Sequence, residues 1–184
     1  MSASLLARRM VDGLTDTARD ELEATLAELT SGGRGDLVAV FRAVLDGQEL
    51  SAALGLPAGT ADLLYAQAHA RFNAGQVTDA MAMFQALVAL SPKVKDHWLG
   101  LGICLRMTGA LPGARLAFSA ALELQPDCPA VTYHLAELAL AEGRRDEAAS
   151  LLRRFAALPE AGLKSRLAAE AQRLSAVLST PPAG

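Results

Sequence analysis

The sequence predicts an all-α protein built around a tandem array of three helix pairs. Its composition is 52% hydrophobic but only 4% aromatic, and the apolar share is mostly Ala and Leu, which favour helices. Glycines recur at Gly75, Gly109 and Gly143, each 34 residues after the last. A constant step of this length is typical of proteins that stack one helical unit on the next.

Four other sets of residues repeat with the same step, and each set keeps one chemical character. A shared step means that equivalent positions have similar surroundings in each unit. The sets are small residues at Ala68, Gly102 and Ala136, alanines at Ala80, Ala114 and Ala148, large apolar residues at Phe84, Phe118 and Leu152, and prolines at Pro92, Pro126 and, one residue early, Pro159.

The middle unit resembles the tetratricopeptide (TPR) motif, in which each unit is a pair of antiparallel helices. Gly102 and Ala114 are small where the two helices must cross closely. Gly109 provides the left-handed residue that ends the first helix, and Pro126 stops the second helix. The motif reads Trp98-x-x-Leu101-Gly102, Gly109, Ala114-x-x-x-Phe118, Ala121 and Pro126, and the predicted units span 61–94, 95–128 and 129–161.

Helical segments are expected on both sides of the three repeats. After them, residues 162–178 carry an apolar stripe at helical spacing, which predicts a C-terminal capping helix. Residues 179–184 are expected to be a disordered tail. Before the repeats, residues 36–60 are expected to form an N-terminal helical segment. Residues 1–35 leave two readings open, a partly helical arm or a disordered one.

The first helices of TPR units line a concave surface, so their outward stripe predicts a binding groove. In each unit the stripe follows i, i+4 and i+7 spacing along the first helix. Exposed apolar side chains on such a face usually mark a partner site. The alternative is that the N-terminal helices or the capping helix cover the stripe as ordinary core. The predicted groove residues are Tyr65, His69, Phe72, Asn73, Leu99, Ile103, Arg106, Met107, Tyr133, Glu137 and Leu140.

The composition of this groove predicts the class of its ligand. TPR modules that bind acidic chaperone tails carry a clamp of Lys, Arg and Asn, whereas the corresponding positions here are Tyr65, His69 and Leu99. An extended segment with two or three Pro or Leu side chains fits better. Burying each such side chain is worth about 1.5–3 kcal/mol, and ordering the segment takes several back. We therefore expect about micromolar affinity for an isolated peptide.

Charge and motifs exclude several classes of function. The net charge is −3 and the basic residues are scattered, so nucleic-acid binding is not expected. The sequence lacks phosphate-loop, zinc-helix and nucleophile-elbow motifs, and Cys104 and Cys128 have no metal or redox spacing. We therefore expect no enzymatic activity, no cofactor and no metal. The lack of a signal sequence or a long apolar run predicts a cytoplasmic protein without stable membrane association.

Two segments in the first and second units carry a more specific likeness. They read LYAQAHARFNAGQVTDAMAMFQALVALSP, from Leu64, and WLGLGICLRMTG, from Trp98. They resemble the class II type III secretion chaperones, which are small bacterial TPR proteins that guard the translocator subunits of an injection apparatus. The likeness runs from about Phe41 to Leu158, which is most of the chain.

The resemblance implies a partner, a binding mode and a dimer. Chaperones of this family bind a Pro- and Leu-containing segment of each translocator in the groove, keeping the translocator soluble and competent for secretion. The aromatic positions that the family uses match Tyr65 and Phe72, while His69 stands where relatives often carry an aromatic residue. A homodimer through the N-terminal helices is also implied, and its interface would map to Phe41, Val44, Leu45 and Leu54.

Two other functions remain open at this point, a generic TPR interaction scaffold and a chaperone for the needle subunit of the same apparatus. The helix expected before the first repeat favours the translocator class.

Overall fold

The computed structural model describes residues 24, 27, 31, 39–40, 42–44, 46–158 and 166–179. These residues form helices, turns and bends, with no strand among them. The helices with complete bounds are α1 (Leu50–Ala53), α2 (Thr60–Asn73), α3 (Val77–Leu90), α4 (Lys95–Met107), α5 (Leu111–Leu124), α6 (Pro129–Ala141), α7 (Arg145–Ala157) and α8 (Arg166–Ser179). The prediction of an all-α fold is confirmed.

Helices α2 to α7 form three consecutive pairs, and each pair packs chiefly against itself and the next pair. The three glycines at the 34-residue step follow the first helix of each pair. Gly75, Gly109 and Gly143 have φ angles of 77°, 81° and 76°, a region in which a Cβ clashes with the backbone. The amide of each glycine donates to a carbonyl three residues earlier and closes the helix end.

The core runs through the pairs as three adjoining apolar clusters. Phe84 and Phe118 occupy the same place in successive second helices and are 1% and 0% exposed. Leu152 holds this place in the third pair and is also buried. The common spacing of these three residues in the sequence reflects this equivalence.

Close approach of the helices depends on two glycines of α4. A Cβ on Gly102 would lie 2.5 Å from Cε1 of Phe118. This explains why a small residue is needed where the two helices were predicted to cross closely. A Cβ on Gly100 would fall on the ring of Phe84 in the preceding pair. Gly102 therefore admits the aromatic ring of its own pair, and Gly100 admits that of its neighbour.

Helix α8 packs against α6 and α7 and closes the end of the array, as expected of a capping helix. Arg145 donates to the carbonyl oxygens of Val177 and Leu178 at the end of α8, at 3.3 Å each. At the other end, α1 contacts α3. The predictions for most of the arm, the tail after 179 and residues 159–165 lie outside the described residues. No helix in the described part of the chain is long and apolar enough to cross a membrane.

Candidate functional site

The first helices of the three pairs, α2, α4 and α6, lie side by side. The rings of Tyr65 on α2 and His97 on α4 are 5.7 Å apart. Arg106 on α4 reaches Glu137 on α6, with Nη2 and Oε2 separated by 3.2 Å. The first helices of neighbouring units are therefore in contact, and the predicted groove residues lie along them.

The α2 part of the surface is aromatic. Tyr65 is partly buried, with its ring 6.0 Å from that of Phe84. Burial, helped by the carboxylate of Asp96, raises the pKa of Tyr65. Phe72 is also partly buried and packs against the first core cluster, whereas His69 is exposed. Half-buried aromatic rings of this kind are held in place by the core and still offer one side to a ligand.

The α4 part of the surface is aliphatic. Leu99 and Ile103 are partly buried and pack against the second core cluster. Met107, at the end of the same helix, is 54% exposed, and Asn73 is exposed at the equivalent position on α2. Tyr65, Phe72 and these α4 side chains together give the first two units a surface that is mainly apolar.

The boundary between the second and third units is charged. Glu137 forms an ion pair with Arg106 and accepts a hydrogen bond from Nδ1 of His134 at 2.7 Å. Burial of the Glu137 carboxyl would by itself raise its pKa, but the hydrogen bond from His134 and the charge of Arg106 outweigh burial, so the pKa is lowered. Glu137 is therefore an ionised acceptor that is already engaged by other residues of this chain.

Tyr133, on α6, occupies a different environment from its counterparts Tyr65 and Leu99. It is only 3% exposed, lies in the core cluster that includes Phe155 and Ala171, and its hydroxyl donates to Glu170 of α8 at 3.4 Å. The sequence left open whether the predicted groove stripe is exposed to a partner or covered by the capping helix as ordinary core. Tyr133 is covered by the capping helix. Leu140, further along α6, is partly exposed.

Three aromatic neighbours of the groove were not among the predicted site residues. Phe84 and His97 support Tyr65 from α3 and α4, and His134 stacks on Phe118 with ring planes 11° apart. Contacts between units cannot be read from the repeat pattern alone. The His134–Glu137 pair, however, has i, i+3 helical spacing and was detectable in the sequence.

The structure describes half of the predicted dimer interface. Val44 is helical and partly buried, and Leu54 is 45% exposed just after α1. The side chains of Phe41 and Leu45 lie outside the described residues. Within the described part of the chain, no group of three or more His, Cys, Asp or Glu residues could hold a metal ion.

Sequence models of the tetratricopeptide repeat match the chain twice, over residues 65–127 and 108–172. Repeat pattern, helix pairs and models together define a tandem TPR protein. Comparison with curated proteins returns no significant match, so the family is decided by solved structures.

Two solved structures of one relative, PcrH, show the family of this chain. PcrH from Pseudomonas aeruginosa is 30% identical, with a TM-score of 0.62 over 68% of this chain and 96% of PcrH. PcrH in complex with the chaperone binding region of PopD gives 31% identity, a TM-score of 0.62 and coverage of 67% and 94%. The chain belongs to the class II type III secretion chaperones.

A second relative is the Yersinia enterocolitica type III secretion chaperone SycD, in complex with a peptide of the translocator YopD. It is 26% identical, with a TM-score of 0.62 over 67% of this chain and 95% of SycD. SycD has also been solved in an alternative dimer.

Proposed function

We propose that this chain is a chaperone for the hydrophobic translocator proteins of a type III secretion system. It binds an extended Pro- and Leu-containing segment of each translocator along α2 and α4, and so keeps the translocator soluble and competent for secretion. The observation that carries the proposal is the half-buried apolar surface of the first two units, in a chain whose relatives PcrH and SycD are seen with translocator segments.

The proposed contact surface has suitable chemistry for such a segment. Tyr65 and Phe72 on α2 and Leu99 and Ile103 on α4 are anchored by the core and partly exposed. Preorganised side chains lose little conformational entropy when a ligand covers them. Apolar side chains of the ligand gain about 25 cal/mol for each Å² removed from water.

The third unit contributes a polar edge to the proposed site. Arg106 and Glu137 compensate each other's charge, and Tyr133 is covered by α8. A ligand side chain that displaced this ion pair would leave one charge without its partner, at a cost of several kcal/mol if the site stays dry. The apolar ligand side chains are therefore assigned to the first two units, with the ion pair bordering the site.

A homodimer through the N-terminal segment belongs to the same proposal. Leu54 exposes 45% of its surface and Val44 is partly exposed. A cleft of about 260 Å³ is lined by residues 51–52, 56–61 and Leu90. Because Leu54 lies in the proposed interface, Leu54→Asp should shift the protein from dimer toward monomer in sedimentation-velocity experiments. Unchanged sedimentation would place the interface elsewhere.

The chaperone function is tested by co-expression with a translocator of its own type III secretion system, followed by pull-down. Met107→Glu places a charge in the proposed groove at a side chain that is 54% exposed. Leu116→Glu, on the second helix α5, is the matched control because Leu116 is 74% exposed. Both substitutions should leave the fold intact, since neither side chain is in the core.

The expected result is a soluble complex with the wild type and with Leu116→Glu, and affinity at least about tenfold lower for Met107→Glu. The double variant Tyr65→Ala/Phe72→Ala should lose the complex while keeping its helical circular dichroism. Equal recovery with all variants would move the partner to another surface. Failure of the wild type to hold the translocator in solution would refute the chaperone proposal and favour a generic scaffold or a needle-subunit chaperone.

A further inference from the structure

His69 places a polar ring in the apolar row of α2. Its centroid lies 4.6 Å from that of Tyr65 and 5.8 Å from that of Phe84, with interplanar angles of 62° and 84°. Edge-on contacts with two aromatic rings, one from each helix of the first pair, favour a defined orientation of the imidazole. His69 is nevertheless exposed, so a ligand lying along α2 would meet it.

The imidazole nitrogens of His69 form no hydrogen bond with the described residues. The other two histidines differ. Nδ1 of His97 lies 3.2 Å from the carbonyl oxygen of Ser91, and Nδ1 of His134 lies 2.7 Å from Glu137. The hydrogen-bonding capacity of His69 is therefore met by water in the unliganded protein.

A ligand that covers α2 must replace that water. Leaving a nitrogen buried and unpartnered would reduce affinity by about tenfold or more. Tyr65 and Phe72 lie about one helical turn away on either side of His69 and suit apolar ligand side chains. Between two such side chains, the polar group that every extended segment carries is its main-chain amide.

We infer that His69 hydrogen-bonds a main-chain amide of the bound segment, between the residues seated against Tyr65 and Phe72. This inference rests on the proposed function and adds a selection rule to it. A helical ligand uses its amides internally, whereas an extended ligand leaves them available. His69 thus selects extended segments and fixes the register of the segment on α2.

The test uses the full-length protein and two synthetic peptides, with the sequences of the chaperone binding regions of PopD and of PopB, each of which is seen in complex with PcrH. Isothermal titration compares the wild type with His69→Phe, which keeps an aromatic ring and removes both nitrogens. His69→Gln is the conservative variant because its side-chain amide can still make the bond. Thermal unfolding verifies that both variants stay folded, as expected for an exposed position.

His69→Phe should bind about tenfold more weakly than the wild type, and His69→Gln should recover part of that loss. Replacing the peptide amides one at a time by esters identifies the partner. One ester position should weaken binding to the wild type several-fold and have no further effect on His69→Phe, since the bond is already missing.

Two results would overturn the inference alone while the proposed function stands. One is binding of His69→Phe as tight as, or tighter than, that of the wild type. The other is a loss in His69→Phe that couples to no ester position, which would assign the bond to a ligand side chain. If the wild type binds neither peptide nor its own translocator, the proposed function fails and this inference fails with it.

Discussion

The ring of Phe84, in the second helix of the first repeat, occupies the space that a Cβ at Gly100 would need. Phe84 is 1% exposed and is surrounded by core, so it has no room to move aside. Gly100 lies inside α4, where glycine costs about 1 kcal/mol relative to alanine. Close stacking of the first two repeats thus requires a residue that is locally unfavourable.

Gly100→Ala should therefore destabilise the protein despite its better helix propensity. Overpacking costs about 1–3 kcal/mol. A Cβ at Gly100 would lie less than 3.0 Å from three atoms of the Phe84 ring, so the cost should fall in the upper part of this range and exceed the helical gain. Urea unfolding followed by the fluorescence of the single tryptophan, Trp98, measures the change. Gly113→Ala in α5 is the control, since its Cβ would meet Leu105 at 3.4 Å. It should be neutral or slightly stabilising, and equal effects of the two substitutions would contradict the account.

Gly109→Ala should destabilise through the backbone alone. Gly109 has a φ of 81°, and a Cβ added to it would meet no other atom within 4 Å. Only the left-handed conformation is therefore costly, by about 1–2 kcal/mol. Gly109→Asn should lose less, because Asn tolerates this conformation. Thermal unfolding midpoints of the two variants give the comparison, and an equal loss for both would argue against a backbone origin.

Glu137→Gln should weaken the junction of the second and third repeats by about 1 kcal/mol near neutral pH, since hydrogen bonds to charged groups are worth more than neutral ones. The pKa of Glu137 is lowered in the folded state. Its contribution is therefore present above the unfolded-state pKa and is lost as the pH falls through the folded pKa. Urea unfolding at neutral and acidic pH should show the difference between wild type and variant shrinking on acidification. A constant difference would mean that the carboxyl charge contributes nothing.

Cys104 should resist alkylation in the folded protein. The side chain is 0% exposed, and burial raises the pKa of its thiol to about 11, so thiolate is scarce at neutral pH. Mass spectrometry after iodoacetamide treatment should find Cys104 unmodified without denaturant and modified in urea. Rapid labelling of the native protein would reveal frequent local opening of the second repeat.

The sequence by itself determined the repeat, because each unit must bury the same contact between its two helices. Each unit therefore keeps small, large and turn residues at the same positions, 34 residues apart. Gly102, Phe118 and Gly109 show this directly, since their roles are local to one unit. The apolar groove side chains of the first two units were predictable for the same reason, because each lies one residue along the first helix from a position that faces the second helix.

Only the tertiary structure decided what happens between units. Tyr65 and Tyr133 occupy equivalent repeat positions, yet Tyr65 is partly exposed and Tyr133 is covered by α8. Gly100 against Phe84, and Arg106 against Glu137, likewise depend on how one pair is placed on the next. A periodic sequence specifies equivalent positions, but the array has ends, and at an end the neighbour that buries or exposes a side chain is different.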